Sequence, residues 1–394
     1  MFGWLSRNKP NLNFAWIKAK TEELSGLSDW GDEQGLKNLE VLLESFRTEA
    51  ACPLIARREF QGMVVHYAMQ RLAIVDLLKK HPEIEDIPVE KPVFIAGLPR
   101  TGTTLLHRLM GADPAGRPLL LWEATSPLPP PQPETHLKDP RIDEVNANLA
   151  GFYQMAPQFK MMHPQQAQAP DECGPFFMRN FVSLNFAGMF NLPSMLEYLT
   201  HIDMRPSYRL HKQQLQILSW KFPKQHWVLK EPSHLVYLDA LFDVYPDARI
   251  LLTHRDPLDV VASNCSLNCY ARYVSSHGAC SNPKEIGPWQ LGLLGVGWDR
   301  NTEMRKHLDP KRIYDVSYRR MLKDPIAEIN QIYGYFNQTF TQEARTNMQT
   351  WLEQNRQHKH GKHHYSLEQF GLSKESVQKG FTSYYKTYDS FIKE

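Results

Sequence analysis

Residues 93–111 read VFIAGLPRTGTTLLHRLMG: a short apolar run, a loop with glycines at 97 and 102, and a helix-forming stretch. An apolar run of strand length, then a glycine loop, then a helix, turns successive backbone N–H groups toward one point. The positive end of the helix adds to the same field. Gly97 and Gly102 permit turns that a side chain would obstruct. Thr101, Thr103 and Thr104 offer hydroxyl donors. The loop therefore suits a phosphate or a sulfate-like group, against the plainer alternative of a strand–helix turn with incidental glycines. It departs from the phosphate loop G-x-x-x-x-G-K-[ST] at a decisive place. Thr103 stands where the lysine belongs, and an arginine, Arg100, lies inside the loop.

Three more segments have strand character: HWVLK (226–230), RILLTH (249–254) and RIYDVSY (312–318). Helical patterns start after them at Pro257 and Pro325. Strands alternating with helices predict an α/β fold, a parallel sheet covered on both faces, with ligands at the carboxyl ends of the strands. Those ends carry Lys230-Glu231, His254-Arg255-Asp256 and Ser317-Tyr318. None is an apolar run closed by a lone aspartate, so a nucleotide-kinase reading lacks the acidic site that holds Mg²⁺. Residues 1–90 form a helical section, with Phe60, Val64, Leu72 and Leu77 near helical spacing and Pro82 and Pro88 ending the signal. Residues 91–394 then form the α/β domain, with a mostly helical insertion over about 140–225 and a proline-rich connector within 126–134.

The 45 Lys and Arg against 43 Asp and Glu leave a net charge of +2, which argues against a general binder of nucleic acid. Cys265 and Cys269 are four apart, but no second pair completes a zinc pattern; the five cysteines read as reduced thiols of a cytoplasmic protein. No run of about 18 apolar residues appears, so no bilayer span is expected. Phe2, Trp4 and Leu5 beside Arg7 and Lys9 could touch a membrane surface, with a frayed or core-docked terminus as the plainer alternative.

Pro99-Arg100-Thr101-Gly102-Thr103-Thr104 matches the 5′-phosphosulfate loop of the sulfotransferases, near P-[RK]-[ST]-G-[ST]-[ST] after a strand. A second family element, an arginine at a strand end with a serine eight residues on, is matched by Arg255 and Ser263 in THRDPLDVVAS. The spacing sets a strand tip and a position two helical turns later against one phosphate. The strings LKEPSH, YPDARI and HRDP, and HHYSLEQFGLS at 363–373, resemble the bacterial-type branch. The resemblance covers roughly residues 90–375, most of the chain. It implies a P-loop-like parallel sheet, the co-substrate 3′-phosphoadenosine 5′-phosphosulfate (PAPS), a small-molecule acceptor and no requirement for a metal.

Sulfuryl transfer needs a base for the acceptor proton, a cation at the leaving phosphate and donors around the sulfonate. The resemblance gives Arg100 the cation role and Thr103 and Thr104 the 5′-phosphate. It gives Arg255 and Ser263 the 3′-phosphate, and places Tyr318 near the adenine or, equally, in the core. Lys359, Gly361 and Lys362 in HKHGKHHY (358–365) resemble the basic loop that closes over the donor; a metal-binding tract and a solvated loop stand as alternatives. Glu123, 23 residues after Arg100, is the first candidate base, followed by His234 and then Glu172, with Lys230 in support. A structural reading stands beside these: His234 capping a helix, Glu172 paired with Arg179. Residues 150–200, rich in Met, Phe, Pro and Leu, suit an apolar or amphipathic hydroxylated acceptor, or simply a core.

Overall fold

β1 (Val93–Gly97) is buried along its whole length, and its alternate side chains enter two different cores. Phe94 and Ala96 join the apolar cluster on one face, Val93 and Ile95 that on the other. In the computed structural model, which describes residues 9–222, 226–355 and 365–393, β1 is the middle strand of five. The others are β2 (Gly116–Pro118), β3 (His226–Lys230), β4 (Arg249–His254) and β5 (Ile313–Ser317). They lie in the order β2-β3-β1-β4-β5, every pairing parallel. The chain leaves β1 for one side of the sheet and later returns to the other. The connections after β1 and β4 therefore part to opposite faces. The helix Thr103–Met110 sends Leu106 and Leu109 to one core, while Pro257–Ser275 sends Val260, Val261 and Cys265 to the other. A crevice opens where such loops diverge.

The four strands expected from apolar runs are present at or within a residue of their expected bounds; RIYDVSY yields Ile313–Ser317, and Tyr318 already opens a helix. β2 was not expected. Its three residues, Gly-Arg-Pro, carry no apolar run, and only pairing with β3 makes them a strand.

The N-terminal residues form the helices Phe14–Ser25, Glu33–Glu49 and Leu54–Lys80, the first two capped by the side chains of Asn13 and Asp32. Leu42, Phe46, Phe60 and Val64 enter the same apolar cluster as Phe94 of β1. Phe46 and Phe60 stack with ring centroids 3.6 Å apart. Arg71, fully buried, binds the carbonyl of Trp30 at 2.9 Å, Asp32 at 2.9 Å and the Asn180 side chain at 2.5 Å. One core thus runs across the position near 90 where the sequence pattern changes.

Residues 140–222 are largely helical, in six pieces from Pro140–Met155 to Arg205–Ser219. Arg179 ties this region to the helices Leu54–Lys80 and Leu121–Thr125. Its guanidinium donates to the carbonyls of Ala124 and Thr125 and to the side chains of Gln70 and Gln214, all at 2.6–2.9 Å. Among the described residues no helix is long and apolar enough to cross a membrane.

Candidate active site

The crevice beyond β1 and β4 opens into a cavity of about 1170 Å³. Its polar end begins with Gly97. This residue has φ +140°, and a Cβ there would stand 2.4 Å from Thr253 Oγ1 and 2.8 Å from the Thr253 carbonyl. Only glycine lets β1 end so close against β4. Arg100 takes φ +68° and Gly102 φ +91°, so the loop doubles back to start the helix Thr103–Met110, with no side-chain cap among the described residues. A Cβ on Gly102 would lie 2.7 Å from the ring of Tyr318, which packs over the loop.

Pro99, Arg100, Gly102, Thr103, Thr104, Arg255 and Tyr318 all line the cavity. Arg255 reaches from the tip of β4 to donate to the Arg100 carbonyl at 2.9 Å, and its guanidinium stands 4.5 Å from the centre of the Tyr318 ring. Arg255 Nε is buried with no hydrogen-bond partner among the described residues. Arg100 donates from Nε to Ser263 Oγ at 3.1 Å and from Nη1 to the Met162 carbonyl at 3.1 Å. Thr101 stands apart. Its hydroxyl bonds the Leu98 carbonyl at 2.6 Å and Thr253 Oγ1 at 2.5 Å, so it braces the loop from behind. Ser263 is also behind the lining, touching the loop through Arg100. Lys359, Gly361 and Lys362 lie outside the described residues.

The candidate bases separate sharply. Glu123 is fully buried and does not reach the cavity lining. Its carboxylate accepts from Arg117 Nη2 at 3.0 Å and lies 3.0 Å from His136 Nε2. It also accepts from the Leu120 N–H, capping its own helix Leu121–Thr125. Burial pushes its carboxyl up, but Arg117 and His136 outweigh that and hold it below the ordinary range. His234 is likewise fully buried behind the lining, with Nδ1 2.8 Å from the Tyr208 hydroxyl; burial pushes its imidazole far down. Neither side chain is brought to the place where an acceptor hydroxyl could meet it.

Glu172 is brought there. It lines the cavity with one carboxylate oxygen 2.5 Å from Lys230 Nζ. The backbone holds the pair in register: the Cys173 N–H donates to the Lys230 carbonyl at 3.0 Å, and the Asp171 N–H to the Leu119 carbonyl at 2.9 Å. Burial raises the Glu172 carboxyl, yet Lys230 and then His163 lower it further, so the net shift is downward. Lys230 is 2% exposed and meets the cavity through this contact. Arg179, whose partners are Gln70, Gln214 and carbonyls, is not among the hydrogen-bond partners of Glu172. His163, which no motif marks in the sequence, and Glu231, within the string LKEPSH, also line the cavity. Burial, and then the charge of Glu172, raise the Glu231 carboxyl to about 8.

Away from this end the walls are mostly apolar, interrupted by side chains such as Asn148, Asn268 and Gln290. Phe152, Met189 and Leu196 come from the helical insertion, as its composition suggested. Leu267, Trp289 and Leu293 come from Pro257–Ser275 and Pro283–Arg305, which had no such mark.

A parallel sheet with a glycine loop after its first strand, in which Thr103 stands at the lysine position and Arg100 lies within the loop, defines a P-loop-like α/β protein. A sequence profile of the sulfotransferase family matches residues 92–342, and the chain belongs to that family. The sulfotransferase STF1 of Mycobacterium tuberculosis shares 31% identity and superposes with a TM-score of 0.84, over 95% of this chain and 100% of that one. STF9 of Mycobacterium avium shares 27% at a TM-score of 0.88, over 98% of each chain. Among curated proteins, the omega-hydroxy-beta-dihydromenaquinone-9 sulfotransferase Stf3 of Mycobacterium bovis is 24% identical over 267 residues, which span 64% of this chain and 64% of that protein.

Proposed function

We propose that this protein transfers a sulfuryl group from PAPS to the hydroxyl of an apolar or amphipathic small molecule. The observation that carries the reading is a single cavity. Its lining includes Arg100, Gly102, Thr103, Thr104 and Arg255, the carboxylate of Glu172, and apolar side chains of the helical insertion. The donor supplies an activated sulfonate on a phosphate leaving group, and the polar end fits it. Arg255 Nε is a buried donor awaiting an acceptor, and the loop presents backbone N–H groups beside two threonine hydroxyls. Pro99, Gly102, Thr103 and Thr104 cradle the 5′-phosphate, with Thr101 bracing the loop. Arg255 serves the 3′-phosphate, Ser263 steadies Arg100 from behind the lining, and Tyr318 flanks the adenine. Lys359, Gly361 and Lys362 would close the donor site from the C-terminal loop.

Arg100 stabilises charge that grows on the leaving phosphate oxygen. The acceptor oxygen bonds to sulfur as the sulfur–oxygen bond to the phosphate breaks, and the acceptor proton passes to the Glu172 carboxylate. Lys230 orients that carboxylate and keeps it ionised. Glu172 takes the role of base in preference to Glu123 and His234 because it alone of the three faces the cavity. Stf3 is an omega-hydroxy-beta-dihydromenaquinone-9 sulfotransferase, and an apolar acceptor with a terminal hydroxyl suits these walls.

The decisive experiment incubates the protein with PAPS and a panel of hydroxylated acceptors, from short alcohols to ω-hydroxylated isoprenoids, read by mass spectrometry. Sulfated long-chain products with release of adenosine bisphosphate are expected. Consumption of ATP–Mg²⁺ instead, or sulfation confined to short polar alcohols, would overturn the reading. The loop favours this over a kinase, since Thr103 occupies the lysine position.

A further inference from the structure

Behind the cavity wall lies a cluster that the transfer chemistry does not use. One donor atom from each of Cys173, His211 and His234 lies within 4.8 Å of the other two, and all three residues are fully buried. They come from three separate elements: the turn before the helix Gly174–Met178, the helix Arg205–Ser219, and the turn after β3. The rings of His211 and His234 are 5.9 Å apart and nearly perpendicular.

The hydrogen bonding fixes what each ring offers. His211 Nδ1 is 2.7 Å from the Tyr245 hydroxyl, and His234 Nδ1 is 2.8 Å from the Tyr208 hydroxyl. Both Nε2 atoms are buried without a hydrogen-bond partner among the described residues. When each Nδ1–H donates to its tyrosine, each Nε2 presents a bare lone pair. Two lone pairs beside one thiol lack a positive centre. Orphaned polar atoms of this kind are rare in folded interiors, and a second partner on the far ring nitrogen is what orients histidines that bind metal.

We propose that Cys173 Sγ, His211 Nε2 and His234 Nε2 bind a structural zinc ion. A thiolate with two imidazoles is a donor set that Zn²⁺ favours. On binding, the Cys173 thiol releases its proton to solvent and the imidazoles remain neutral, leaving one positive charge on the site. The Glu231 Oε2 atom, buried without a hydrogen-bond partner among the described residues, would lie 3.2 Å from a Cβ on Gly174, the residue after Cys173. The ion takes no part in sulfuryl transfer. It pins the turn that carries Glu172 to the turn that follows Lys230, and so fixes the proposed base against the cavity.

The test uses the full chain, purified without an affinity tag from zinc-containing medium, with metal measured by plasma mass spectrometry. About one zinc per chain is expected. The histidine run offers a competing site, so a variant carrying H358N, H360N, H363N and H364N is measured beside the wild type and should keep its zinc. Replacing zinc by Co²⁺ should produce a thiolate-to-metal charge-transfer band that C173S abolishes. Should C173S fail to fold, the wild-type cobalt spectrum decides alone. Zinc content below about a tenth of an equivalent after zinc repletion, zinc that vanishes with the histidine run, or a cobalt protein without the thiolate band would each overturn the site.

Discussion

At the proposed donor end of the cavity, Pro99, Arg100, Gly102, Thr103 and Thr104 of one short loop line the wall, and Arg255 joins them from the neighbouring strand tip. At the acceptor end the wall is gathered from helices that begin at Pro140, Asn185, Pro193, Pro257 and Pro283. The donor end depends on backbone direction and a few charges, the acceptor end on the volume of many side chains. The first should fail abruptly when one group is removed, the second gradually.

The two acids, Glu172 and Glu123, give that contrast its hardest test. E172Q should lower turnover by about 10²–10⁴-fold with little change in melting temperature. E123Q should do the reverse: it leaves Arg117 in a broken buried pair and should reduce stability by about 3–5 kcal/mol, while folded enzyme keeps its rate. If E123Q kills turnover at unchanged stability, the assignments must be exchanged. Because Lys230 and His163 hold the Glu172 carboxyl low, its ionised form persists as pH falls. The acid limb of kcat should therefore lie below the ordinary glutamate value of about 4.3.

Arg100→Ala should reduce kcat by about 10²–10³-fold, as removal of one donor to a developing oxyanion does. Arg255→Ala should act on binding, raising the donor KM by about tenfold to a hundredfold, the equivalent of roughly 1.5–3 kcal/mol for a charged hydrogen bond. At the apolar end, Leu293→Ala should raise the acceptor KM by roughly tenfold and leave the donor KM unchanged, since it removes only about 1–2 kcal/mol of apolar contact. An equal change in both constants would show that the two ends are not separable.

The smallest effect concerns the strand beneath Arg255. Asp315 lies 2.8 Å from His254 Nε2 and 2.7 Å from Arg305. Burial raises its carboxyl, but His254 and Arg305 bring it down to about 2. A depressed carboxyl contributes stability that is complete above its unfolded value, about 3.9, and is lost as pH falls through about 2. In D315N, the melting temperature measured across that window should depend less on pH than in the wild type.

The loop was legible because its chemistry is local: Gly97, Arg100, Gly102 and the threonines lie close in sequence, and the turns at Gly97 and Gly102 are written in their residue type, though the left-handed φ of Arg100 is not. The four longer strands were legible for a similar reason, each being an apolar run bounded by turns. β2 was not, because Gly-Arg-Pro becomes a strand only beside β3. Nor could the sequence rank the acids. Glu123, Glu172 and Glu231 are alike as residues, and their partners Arg117, Lys230 and Ser233 are set by the fold. His163 carried no signal at all, since its place in the cavity comes from the packing of the insertion.

By itself the sequence determined the parallel α/β layout, the family and the glycine loop, because short-range steric and hydrogen-bonding rules act within a few residues of the chain. Tertiary structure alone decided which carboxylate faces the cavity and which caps a helix. It decided which helices line the apolar wall, and it brought Cys173, His211 and His234 together. Those outcomes depend on burial and on charges that meet across long separations in sequence, and neither distance nor solvent exclusion exists until the chain has packed.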